Sequence, residues 1–131
     1  MSFYKKIIFG IGTDIVDVTR IKKMKSIDSF AKKILGDNEY LKYSTLSKSK
    51  KIFFIAKQFS GKEAFAKAIG TGISGDVNLK GIEILRDDKG KPIFNFDEKI
   101  QMLLDHLGIT HSHVSLSDED EYALAFVILE K

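Results

Sequence analysis

Apolar positions along this chain follow a helical rhythm in the first half and a strand rhythm in the second. Phe3 to Val18 is β-branched and apolar with interspersed glycines, which predicts a strand that ends near Asp17. From Thr19 to Leu35, residues Ile21, Met24, Ile27 or Asp28, Phe30 or Ala31, and Ile34 recur at helical spacing, so one helix is expected there. Asp37 or Asn38 can cap a short helix running to about Leu46, and the lysine-rich stretch 44–51 reads as a solvated connector. Ile52 to Ile69 carries the longest helical signal. Its apolar residues lie on nearly every side, the mark of a buried central helix, and Gly70 is its natural stop.

Beyond a glycine-rich loop to Gly75, alternation predicts strands over 79–85 and 92–96, with the turn sequence Asp87-Asp88-Lys89-Gly90 between them. Asp97 caps a helix through Leu107 that Gly108 ends, and strands are expected over 111–117 and 122–129. Helices cluster early and strands late. The expected fold is α+β, an antiparallel sheet packed on a long central helix, in one domain spanning 1–131.

Composition narrows the function classes. The 131 residues are 44% hydrophobic and 30% charged, the balance of a globular chain. No apolar stretch approaches the roughly 20 residues needed to cross a bilayer. Lys5-Lys6 before Ile7-Ile8-Phe9 imitates a signal peptide, but Asp14 interrupts the run and no small-residue cleavage site follows, so a cytoplasmic protein is expected. The absence of cysteine excludes disulfides, thiolate nucleophiles and zinc–cysteine clusters. Charge is uneven: residues 1–70 hold 15 Lys/Arg and 6 Asp/Glu, residues 71–131 hold 6 and 12. A basic half suits phosphates or an acidic protein, and the rival is a non-catalytic nucleic-acid-binding module, for which no recognition motif is present.

Gly70-Thr71-Gly72-Ile73-Ser74-Gly75 is a literal GxGxxG, yet it follows a helix and opens toward a strand, the reverse of a dinucleotide-binding turn. No P-loop pattern exists around Gly61-Lys62 or Gly90-Lys91. More informative is Gly10-Ile11-Gly12-Thr13-Asp14-Ile15-Val16, which sets an aspartate inside an apolar strand, where an unpartnered carboxylate is costly. Asp14 either caps a helix, pairs with a lysine or ligates a hard cation such as Mg²⁺. Glu63 raises the same question on the central helix. Lys67, four residues on, offers an ordinary helical pair, while the small neighbours Ser60, Ala66 and Gly70 leave room for something to approach. One strand carboxylate and one helix carboxylate beside a lysine suit a Mg²⁺ ion that completes its shell with water and substrate phosphate.

On these residues the chain resembles the holo-acyl-carrier-protein synthase family, the small 4′-phosphopantetheinyl transferases. The segments that carry the likeness are Gly10–Val16 with Arg20-Ile21, then Phe59-Ser60-Gly61-Lys62-Glu63-Ala64-Phe65-Ala66-Lys67-Ala68 with Gly70–Ile73. Gly90-Lys91-Pro92 and His113-Val114-Ser115-Leu116-Ser117 follow in order. The resemblance implies transfer of the phosphopantetheine arm of coenzyme A to a serine of an acyl carrier protein, with release of adenosine 3′,5′-bisphosphate. It implies that Asp14 and Glu63 hold Mg²⁺, and that Lys67 stabilises phosphate charge or helps activate the carrier serine. Lys50, Phe54, Pro92 and His113 stand where that family contacts coenzyme A, and Arg20 stands on its carrier-docking surface. The family assembles as a homotrimer with sites between subunits. Position 58 departs from it, being Gln where a basic residue is expected. On sequence alone His113 is equally an ordinary hydrogen-bonded sheet residue, and His111 reads as surface.

Overall fold

The computed structural model describes residues 7–131; the part of the first expected strand before Ile7 lies outside them. Strand β1 (Ile8–Asp17) leads into three short helices, α1 (Val18–Lys22), α2 (Ile27–Ile34) and α3 (Asp37–Ser44), then the long α4 (Lys48–Ile69). The second half is β2 (Ile82–Arg86), β3 (Pro92–Phe96), α5 (Glu98–His106), β4 (His111–Asp118) and β5 (Tyr122–Glu130).

Two expectations need correction. The single helix over 19–35 is two, because Asp17 caps Thr19 with its carboxylate and Ser26 caps Ser29 with its hydroxyl, each starting a new helix. The lysine-rich connector is not a loop beyond Ser47. Lys48, Lys50 and Lys51 lie in the first turn of α4, where Lys48 and Lys50 are exposed and Lys51 sets its ammonium 4.9 Å from the centroid of the Tyr43 ring. The GxGxxG segment does end a helix: Gly70 sits at φ 92°, in the left-handed region, and donates to Ala66.

Strands β1, β5 and β4 form an antiparallel sheet in that order, and β2 pairs with β3 as a separate hairpin. The sheet is therefore not built from the second half alone, since β1 crosses the whole chain to pair with β5. In that register Asp14 lies opposite Ala125 and Ile15 opposite Leu124. Alternation assigns the faces. Val16, Ala123, Ala125, Val127 and Leu129 are buried against α4, whereas Ile11, Ile15, Leu124 and Phe126 point away from it. Asp14 shares the inward parity of Gly12 and Val16, so the strand aims its carboxylate at the helix.

Helix and strand approach closely because β1 has no side chains at the contact. A Cβ on Gly12 would fall 1.9 Å from the Ala64 carbonyl oxygen, and one on Gly10 at 1.9 Å from that of Ala68. On another side of α4, Phe65 stacks with Phe94 and Phe96 at ring-centroid distances of 5.3 and 4.8 Å, which seats the β2–β3 hairpin.

Candidate functional site

The close strand–helix contact brings Asp14, Glu63 and Lys67 together. Lys67 Nζ lies 3.1 Å from Asp14 Oδ1 and donates to the Thr13 carbonyl at 2.9 Å. The lysine's ion pair is thus with the strand carboxylate, not with Glu63 one turn before it. Glu63 remains half-buried. Burial pushes its carboxyl above the usual range, the nearby Asp14 charge pushes the same way, and Lys67 offsets part of it. A half-buried carboxylate whose charge is disfavoured by a second one nearby, with Lys67 bound to that second carboxylate, suits a divalent cation. Among the described residues no third carboxylate or histidine joins them. That donor set matches Mg²⁺, which takes one or two carboxylates and leaves positions for water and phosphate oxygens.

A second feature is a cleft of about 750 Å³ beside α4. Phe53, Phe54 and Ile84 give it apolar walls, and Lys42, Lys50, Lys57 and Arg86 bring positive charge to it. Lys57 is partly neutralised by Asp118 at 3.6 Å. Lys50 and Phe54 therefore lie together, as the sequence led us to expect. Lys57, beside Gln58, is on sequence an imperfect substitute for the basic residue the resemblance expects at position 58, since it points about 100° away on the helix. Lys42 and Arg86 were not singled out, because isolated basic residues at solvated positions carry no pattern that separates them from ordinary surface.

Pro92 and His113 do not line this cleft. Pro92 opens β3 opposite Arg86, at the turn end of the hairpin. His113 has outward parity on β4, since Val114 next to it points inward, and its Nε2 lies 2.6 Å from Glu130 Oε1. Within one chain the outward-facing histidine and the inward-facing carboxylate pair thus occupy opposite faces of the sheet. Arg20 is exposed in the last turn of α1. That helix is tied to the cleft by Lys22, whose ammonium lies 5.7 Å from the ring centroid of Phe53.

Gln58 stands in the cleft wall. It is buried, and its amide donates to Glu39 and to the Ile84 carbonyl, so it forms part of the cleft's inner wall. Lys62, next to Glu63, is also buried and bound to Glu39. The sequence offered no sign of this pair, because the two residues lie on separate helices.

Residues 10–127 match the 4′-phosphopantetheinyl transferase superfamily, and the chain belongs to that family. A holo-[acyl-carrier-protein] synthase of Nitrosospira multiformis is 44% identical over 126 residues, covering 95% of this chain and 99% of the relative. The crystal structure of the Neisseria meningitidis holo-[acyl-carrier-protein] synthase superposes with a TM-score of 0.87 at 42% identity, over 95% of this chain and 100% of that one. The Bacillus anthracis enzyme, solved in complex with CoA (3′,5′-ADP), gives 0.81 at 39% identity, over 95% and 97%. Membership of the transferase family takes the place of the nucleic-acid reading of the basic half. Among the described residues no helix is long and apolar enough to cross a membrane.

Proposed function

We propose that this chain transfers the 4′-phosphopantetheine arm of coenzyme A to a serine of apo acyl carrier protein, with Mg²⁺ held by Asp14 and Glu63 and adenosine 3′,5′-bisphosphate released. The observation that carries the metal reading is the meeting of those two carboxylates across the β1–α4 contact, with Lys67 already bound to Asp14. In the reaction the carrier serine oxygen bonds to the phosphorus that bears the pantetheine arm. The bond from that phosphorus to the bisphosphate leaving group breaks, and the serine loses its proton.

When bound, Mg²⁺ supplies Lewis-acid polarisation of the diphosphate and offsets charge on the leaving group. The chain's own groups do the rest. The Lys67 ammonium, on a side chain more than half exposed, can leave Asp14 for a substrate phosphate oxygen, a charge-assisted contact. The cleft offers an aromatic wall at Phe54 and cations at Lys50, Lys57 and Arg86 for the nucleotide end of coenzyme A. Arg20 on α1 belongs to the basic half that would meet an acidic carrier.

The active assembly in this reading is a homotrimer, working in the cytoplasm. Its support is the outer face of the β1–β5–β4 sheet, where Ile15 is 63% exposed, Leu124 45% and Phe126 40%. A contiguous apolar sheet face calls for a cover, and closed cyclic symmetry provides one with copies of the same chain. His113 and Pro92, away from the cleft in their own chain, would then serve a neighbour's coenzyme A. Mass spectrometry of apo acyl carrier protein incubated with this protein, coenzyme A and Mg²⁺ tests the proposal. The expected result is a gain of one phosphopantetheine, lost when EDTA replaces the metal. No gain with Mg²⁺ present overturns the transfer reading; a gain that survives EDTA overturns the metal.

A further inference from the structure

On the side of α4 away from β1, the Lys62 ammonium is 0% exposed and reaches three acceptors. They are Glu39 Oε1 at 2.6 Å, the Ile82 carbonyl at 2.6 Å and the Leu79 carbonyl at 2.8 Å. Glu39 is equally enclosed. Its carboxylate also accepts from the Gly36 and Ile84 amides, at 3.0 and 3.2 Å, and from the Gln58 side chain. The first turn of α3, the middle of α4, residues 79–82 and β2 meet in this one knot.

Stability is a poor reason for such a knot. Burial drives the Glu39 carboxyl up and the Lys62 ammonium down, so solvent loss works against both charges even as each favours the other. Apolar side chains of similar volume commonly hold two elements together at least as well. What an ammonium with three fixed acceptors adds is direction.

Direction matters for α4 because its surface is apolar on almost every side, and hydrophobic contact alone specifies such a helix's rotation weakly. At about 100° per residue, Lys62 and Ala64 lie about 200° apart, with Glu63 midway. Ala64 and Ala68 rest on the glycines of β1, while Lys62 anchors the opposite side. A helix held from two opposed sides presents Glu63, and Lys67 about 40° further round, to Asp14.

We propose that the Lys62–Glu39 pair is a positioning device for the transfer reaction. It sets the rotation of α4 that brings Glu63 to Asp14, and it holds β2 as a wall of the cleft. The proposal rests on Asp14 and Glu63 being the metal pair. Lys62 and Glu39 touch no substrate in it; both act through the residues they orient.

The test compares the wild-type assembly with Glu39→Gln and with the double variant Glu39→Gln/Lys62→Met, which removes both charges together. Electron paramagnetic resonance with Mn²⁺ reads metal affinity directly, and kinetics are titrated separately in Mg²⁺, coenzyme A and carrier. We expect a folded double variant, melting within a few degrees of wild type, that binds Mn²⁺ about tenfold or more weakly. Its kcat falls and its Mg²⁺ requirement rises, while the KM for carrier stays put. Folded variants with wild-type Mn²⁺ affinity and kcat overturn the proposal. So does failure of both variants to fold, which would make the pair a requirement of the fold itself. Wild-type protein that binds no Mn²⁺ but transfers normally would instead overturn the metal pair on which the proposal stands.

Discussion

Gly12 lies against the Ala64 carbonyl so closely that a methyl group in its place would sit 1.9 Å from that oxygen. The obstacle is backbone on the longest helix of the fold, so it cannot swing aside as a side chain would. Gly12→Ala should therefore force strand and helix apart, at a cost on the order of 3 kcal/mol. It should also separate Asp14 from Lys67, two residues and one helical turn further on. Urea unfolding with a parallel transfer assay checks both; a loss below about 1 kcal/mol would mean the contact yields easily.

Asp14→Asn and Glu63→Gln should each abolish most transfer while the far-ultraviolet circular dichroism stays unchanged. Burial and the nearby Asp14 charge both disfavour the charged form of Glu63. Its neutral amide counterpart should accordingly melt higher than wild type in EDTA, with Mg²⁺ narrowing the gap by stabilising only the wild-type site. Wild-type activity of both variants at limiting Mg²⁺ would remove these carboxylates from the reaction.

Arg20→Ala should raise the KM for carrier and leave that for coenzyme A nearly unchanged, because Arg20 is exposed on α1 and is not among the residues that line the cleft. Association with carrier should slow as salt rises, since steering between opposite charges is screened over about 10 Å at 0.1 M. An effect confined to coenzyme A would relocate Arg20 to the nucleotide site.

Placing a charge on the outer sheet face, as in Ile15→Lys or Phe126→Lys, should yield monomers by light scattering and depress activity. Mixing Asp14→Asn chains with His113→Ala chains should recover part of the activity, because some sites would then draw both intact residues from different subunits. Full activity in a monomer, or no recovery on mixing, would argue that each chain carries a complete site.

Glu83 contributes to the acid limb of stability. Burial alone would raise its carboxyl, but hydrogen bonds from the Asn38 and Asn95 side chains and from the Glu39 and Asn38 amides hold it below the ordinary value of 4.5. A carboxyl lowered in the folded state adds stability that is present above its unfolded value and lost as pH falls through the folded one. Glu83→Gln should thus be less stable than wild type at neutral pH, with the difference shrinking below about pH 4.5. Unfolding curves taken from pH 7 down to 3 read this directly, and a constant difference across that range would assign the loss to packing.

The chain itself made legible most features whose cause is local, the Asp17 and Ser26 caps that divide 19–35 into two helices excepted. Alternation marked β3, β4 and β5, the Asp97 cap and Gly108 bounded α5, and the all-round apolar surface of 52–69 announced a buried helix. Asp14 stood out because a carboxylate in an apolar strand has few cheap explanations. Only the tertiary structure decided what depends on elements distant in sequence. It paired β1 with β5, sent Lys67 to Asp14 instead of Glu63, turned Gln58 into the wall and buried Lys62 on Glu39. Periodicity tells which face of an element is apolar, whereas the partner of a long polar side chain depends on how two elements pack, and for α4 apolar faces on almost every side left that rotation open until the glycines of β1 and the Lys62 anchor closed it.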